Sequence, residues 1–124
     1  MSMRKKLVIK GEMPSLNDII DASKTHWAKY RQLKRINTNI VAFKANRLPR
    51  FRAIKLNIKY YCKDRRTDPD GFTSGAKKFI LDGLVKAKVI KNDGWSEIKG
   101  WTETWEVDRK NPRIEIEIIA VKEG

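Results

Sequence analysis

Two carboxylates stand two residues apart in the run Asp68-Pro69-Asp70. Pro69 restricts the backbone and biases Asp68 toward an extended conformation. In an extended stretch residues i and i+2 project to the same side, about 6 to 7 Å apart along the backbone. Such a pair can converge on one hard cation, and magnesium prefers oxygen ligands while keeping several waters. Asp93, in Asn92-Asp93-Gly94, is a third acid able to close the site from a later loop. A cation held there would activate water and offset charge on a phosphodiester, with Lys78 as a nearby cationic stabiliser. The same residues also have a plain reading. DPDG and NDG are ordinary turn sequences, and Lys78 four residues before Asp82 is equally a solvated helix pair.

Other chemistries find little support. His26 is the only histidine and Cys62 the only cysteine, so a histidine-rich metal site, a cysteine zinc cluster and an internal disulfide are excluded. Cys62 falls on the apolar side of an alternating segment, where a thiol acts as a small hydrophobe. There is no GKS or GKT loop, no GxGxxG and no GxSxG, which argues against nucleotide-binding and serine-hydrolase chemistry. Trp95, Trp101 and Trp105 gather in one stretch. They suit stacking on unpaired bases, and they equally suit a core or a subunit interface.

Charge narrows the choice of partner. The 124 residues carry a net charge of +13, a field that attracts polyanions and speeds encounter with them. Residues 1 to 67 hold 18 basic against 4 acidic side chains, whereas residues 68 to 124 hold 10 against 11. A basic half beside an acid-containing half is what a metal-dependent nuclease needs, phosphates on one and a cation on the other. No stretch approaches the roughly 20 apolar residues that cross a bilayer, and no secretory signal precedes the first strand. A cytoplasmic protein without a membrane partner is expected.

These residues must be positioned by a single domain spanning 1 to 124. Residues 4 to 12 read as a strand, and MPSLNDIIDASK as a turn or irregular loop. From about Trp27 to Asn46 a long basic helix is expected, with Leu33, Ile36, Ile40 and Phe43 at helical spacing. Residues 53 to 63 alternate strictly, with Ile54, Leu56, Ile58, Tyr60 and Cys62 on one side. A second helix is expected from about Ser74 to Ala87, with Ala76, Ile80, Gly83, Leu84 and Ala87 inward and Lys78, Asp82 and Lys86 outward. Residues 99 to 107 and 113 to 121 read as strands joined by a turn into an antiparallel hairpin. The class is α+β, in the order strand, helix, strand, helix, strand, strand, with a mixed or antiparallel sheet packed by two helices.

In this order the pieces resemble a known family. RRTDPD followed by AKKFILDGLVKAKVIKNDGW is similar to the central motif of RusA-type crossover junction endodeoxyribonucleases, including phage-borne forms of Gram-positive bacteria. PSLN at 14 to 17 and VDRKNPRIEIEI at 107 to 118 extend the similarity over nearly the whole chain. The resemblance implies a homodimer that binds four-way junction DNA and resolves Holliday junctions by paired nicks, using Mg²⁺ or Mn²⁺ held by aspartates. By motif position Asp68, Asp70 and Asp93 correspond to the metal-binding acids, Lys78 to the essential lysine, and Asp82 to a supporting acid. Lys24, Lys29, Arg31, Lys34, Arg35, Arg65, Arg66 and Lys77 are the expected nucleic-acid contacts. Two departures stand out. Gly71 occupies a position usually held by Asn, within an altered GFTSG stretch, and Asn92 precedes Asp93 where some members carry a second aspartate. Loss of an amide that orients a metal ligand motivates the alternative of a non-catalytic protein binding branched or single-stranded DNA. An RNA-associated basic protein is a third reading.

Overall fold

A computed structural model describes residues 3–122. Its elements run β1 (Arg4–Lys10), α1 (Leu16–Thr25), α2 (Trp27–Ala45), β2 (Ile54–Cys62), α3 (Pro69–Lys86), β3 (Ile98–Val107) and β4 (Arg113–Ala120). Four strands form one mixed sheet in the order β1-β4-β2-β3. The α+β class is as expected from the sequence. Among the described residues no helix is long and apolar enough to cross a membrane.

Alternation builds the core. Leu7 and Ile9 of β1, all five even-numbered residues of β2 from Ile54 to Cys62, and Ile114, Ile116 and Ile118 of β4 are buried on one side of the sheet. Val41 and Ala45 of α2 and Ala76, Phe79, Ile80 and Leu84 of α3 complete the same cluster. Each fully buried Ile or Leu contributes about 1.5 to 3 kcal/mol. The opposite side of the sheet is polar, where Asn57 donates to Glu117 at 2.9 Å and Thr102 donates to Asn57 at 2.6 Å.

Three features differ from the sequence-based expectation. First, the segment after β1 contains α1, started by a capping box: the Asp18 N–H donates to Ser15 Oγ at 3.3 Å and the Ser15 N–H to Asp18 Oδ2 at 2.9 Å. The polar residues that suggest a turn are in this case helix-starting groups. Second, α2 buries Val41 and Ala45, with Leu33 partly buried, while Ile36, Ile40 and Phe43 are exposed, Phe43 by 79%. Small residues are needed inward because α3 approaches closely: a Cβ on Gly83 would lie 2.4 Å from Val41 Cβ. Gly75 is equally confined, since its Cβ would lie 2.4 Å from the Pro14 carbonyl oxygen.

Third, β3 and β4 do not form a hairpin. α3 carries the chain back so that β3 lies parallel to β2, and β4 then crosses to the other side of β2, antiparallel to both β2 and β1. Burial explains the choice. The three alternating isoleucines of β4 suit a strand with neighbours on both sides, whereas β3 has no buried residue and takes the edge.

The end of α3 rests on an uncommon backbone conformation. Lys88 has φ 62, while Val89 N–H donates to the Leu84 carbonyl at 2.9 Å and Lys88 N–H to that of Val85 at 3.0 Å. This pattern usually places glycine at the left-handed position. Lys88→Gly is expected to raise stability by about 1 kcal/mol in urea unfolding, because a Cβ is disfavoured there. A loss of stability would refute that account.

On the polar side of the sheet, hydrogen bonds from Lys6 and then Arg113 hold the Glu115 carboxyl below the usual carboxylate range. A carboxyl whose folded-state pKa is depressed adds stability above its unfolded value, about 4.3, and loses it as pH falls through the folded value. Glu115→Gln is therefore expected to flatten the decline in unfolding free energy below about pH 4. An unchanged acid limb in the variant would remove Glu115 from this role.

Candidate functional site

The acid pair sits at the start of α3. Asp68 is the N-cap with extended backbone, Pro69 follows at the first helical position, and Asp70 lies in the first turn. The helix thus begins five residues before the Ser74 expected from the sequence. Pro-Asp, read as a turn, is a helix opening, because Pro lacks only an N–H that would be unpaired there anyway. The two carboxylates are consequently placed by a helix start rather than by strand alternation. Both residues are exposed, and Asp68 makes no side-chain capping bond. The nearby backbone N–H groups favour negative charge at this end. Gly71 N–H donates to the Asp68 carbonyl at 3.0 Å.

Asp68 lines an open cleft of about 250 Å³ between the start of α3 and the end of β3. Cys62, Asp64, Arg65, Thr67 and Pro69 form one wall, and Trp105, Glu106 and Val107 the other. Arg65 and Arg66 are exposed beside it, with Arg66 3.7 Å from Asp64. Burial, then the charges of Glu12 and Asp64, pushes the Cys62 thiol above its ordinary value. A thiol held protonated is a poor nucleophile, in agreement with its place in the core.

Asp93 is elsewhere. It is exposed and lines a larger cleft of about 910 Å³ with Asp82 and Lys86 of α3 and Arg31, Lys34, Arg35 and Thr38 of α2. These are the late turns of an 18-residue helix whose length is about 27 Å. The structure therefore separates Asp93 from Asp68 and Asp70 by most of α3. Among the described residues no three His, Cys, Asp or Glu side chains form a group that could hold a metal ion.

The cationic candidates divide in the same way. Lys24, Lys29, Arg31, Lys34 and Arg35 are exposed on α1 and α2, three of them along the larger cleft. Lys78 is exposed on α3. Lys77 turns toward the sheet, where its Nζ lies 3.2 Å from Glu103 Oε1 and 4.1 Å from the centre of the Trp101 ring. Glu103 also accepts from the Tyr60 hydroxyl at 2.9 Å. Burial and the Glu103 charge push the Tyr60 pKa up, so it stays a donor. The joining of Glu103 to Tyr60 and Lys77 was not anticipated from the sequence. Alternation in β2 and β3 was the available signal for it.

The fold and these two clefts define a small α+β protein with an exposed acid pair at a helix start and a basic helical surface. A scan against protein-family models finds no match, and a search of the curated proteins finds none that is significantly similar.

Proposed function

We propose that the protein is a structure-selective endodeoxyribonuclease that resolves Holliday junctions by paired nicks, in DNA recombination and repair. The observation that carries this reading is the exposed Asp68 and Asp70 pair at the start of α3, beside Arg65 and Arg66, in a chain of net charge +13. The motif similarity to RusA-type enzymes supports it.

Two carboxylates fit Mg²⁺, or Mn²⁺ in its place, since such ions are commonly held by one or two carboxylates together with substrate phosphates. Asp68 and Asp70 would hold the ion, and when bound it supplies charge neutralisation and an activated water. Arg65 and Arg66 bind backbone phosphates and fix the strand's register without reading its sequence. Lys78 is exposed to the same polyanion from the middle of α3. A site containing all three aspartates needs Asp93 from a second copy, because one chain holds it near the far end of the helix. The reading includes a homodimer acting on two opposed strands, in which the second copy would supply that Asp93.

A protein that binds branched or single-stranded DNA without cutting it is the competing reading, favoured by that same separation of Asp93. The two are distinguished by a nicking assay on a labelled four-way junction, with linear duplex as control, in Mg²⁺, Mn²⁺ or EDTA. Paired, metal-dependent cuts confined to the junction are expected. Tight junction binding without cuts would overturn the nuclease reading in favour of the binding module.

A further inference from the structure

The rows of side chains on the helix side of the sheet end abnormally. Leu7, Ile116 and Ile58 are neighbours across three strands, and the fourth member of their row is Glu103; Ile9, Ile114 and Tyr60 are followed by Trp105. α3 covers Tyr60, which is 2% exposed, but leaves Trp105 41% exposed at the edge. Among the described residues, the ring packed against the Trp105 indole is that of Tyr60, 6.1 Å away at an interplanar angle of 12°.

That backing is held in place. The Tyr60 hydroxyl is fixed by Glu103, and Glu103 by Lys77, so the carboxylate is both tethered and neutralised. A phosphate approaching Trp105 therefore meets no uncompensated charge from Glu103. The same indole forms a wall of the cleft that contains Asp68 and Arg65. Aromatic surface beside Arg65, in a cleft whose other charged lining residues are Asp64, Asp68 and Glu106, suits a ligand that joins a flat ring to a phosphate, with Arg65 and a cation on the carboxylates offsetting the phosphate charge.

We propose that Trp105 is a stacking platform for an unpaired DNA base, which sets the adjoining phosphate at the Asp68 cleft. The proposal deepens the nuclease reading by assigning a nucleobase subsite, and its test does not depend on cutting. Base stacking is sequence-tolerant because every base presents a ring face. Trp101 differs, because the Lys77 ammonium already lies over its ring.

The test compares binding of a thymidine oligonucleotide with that of an abasic strand having the same number of phosphates, in EDTA and over a series of salt concentrations. The unsubstituted protein is expected to prefer the base-bearing strand by about 10-fold. Trp105→Ala should lose this preference while keeping the slope of affinity against salt, since that slope counts phosphates. Trp105→Phe should keep most of the preference, which guards against a folding defect in the alanine variant. Equal binding of the two strands by the unsubstituted protein would overturn the proposal. So would an intact preference in Trp105→Ala, or a changed oligomeric state in Trp105→Ala with base preference unaltered, which would make the indole a protein interface. A nicking assay that fails while base preference is present would remove the nuclease reading and leave the subsite standing.

Discussion

Asp70→Asn is expected to reduce nicking of a four-way junction by about 100-fold or more, an effect at least as large as that of disturbing groups around a metal ligand. Junction affinity should be retained or should rise. Asp70 is exposed in the first turn of α3, so the isosteric amide removes a negative charge from the surface proposed to face phosphates, without opening a cavity. The only structural cost is the favourable interaction of an acid with the helix start, about 0.3 to 1 kcal/mol. Single-turnover nicking and binding in EDTA, measured on the same preparation, separate the two effects. Normal nicking by the variant would eliminate Asp70 as an essential group.

The second large effect is on stability. Gly83→Ala is expected to destabilise the protein by about 2 kcal/mol or more, lowering Tm by roughly 10 °C. In an open helix the same change stabilises by about 1 kcal/mol. The sign reverses because the new methyl would lie 2.4 Å from Val41 Cβ and 2.5 Å from its Cγ1, and both helices are fixed to the sheet. Ser74→Ala, at an exposed position of the same helix, serves as the control and should leave Tm unchanged or slightly raised. A Tm for Gly83→Ala at or above that of the unsubstituted protein would show that α2 and α3 can separate at little cost.

Legibility in the sequence follows from how local each determinant is. β2 was readable because alternation over nine residues has one physical meaning, and the inner side of α3 was readable from Ala76, Ile80 and Leu84. α1 was not, because Ser15 and Asp18 are turn formers until their reciprocal hydrogen bonds exist. The outward Ile36, Ile40 and Phe43 misled for a different reason. Size favours them as core residues, but the crossing with α3 requires small side chains, a constraint set by a residue forty positions away. In the candidate site, Asp68 and Asp70 were found by type and spacing, although the geometry inferred for them was that of a strand. The remoteness of Asp93 depends on the length of α3 lying between them, and hence on recognising that Pro69 opens the helix. Glu103 was visible only as one of the two acids of β3, since its significance lies in the sheet register that sets it beside Ile58.

The placement of β4 bears on how the molecule is made. β4 emerges from the ribosome after every other strand, yet it occupies the slot between β1 and β2. Until it arrives β1 has no strand neighbour, and β2 has only β3 along one side. Nascent chains of this protein thus carry unpaired strand edges on β1 and β2 and an incomplete apolar layer, the condition that invites aggregation and chaperone capture. The long-range pairings that resolve it close loops spanning most of the sequence, a slow step. The basic first half leaves the ribosome well before the domain can close, and like-charge repulsion between neighbouring nascent chains offers protection during that interval.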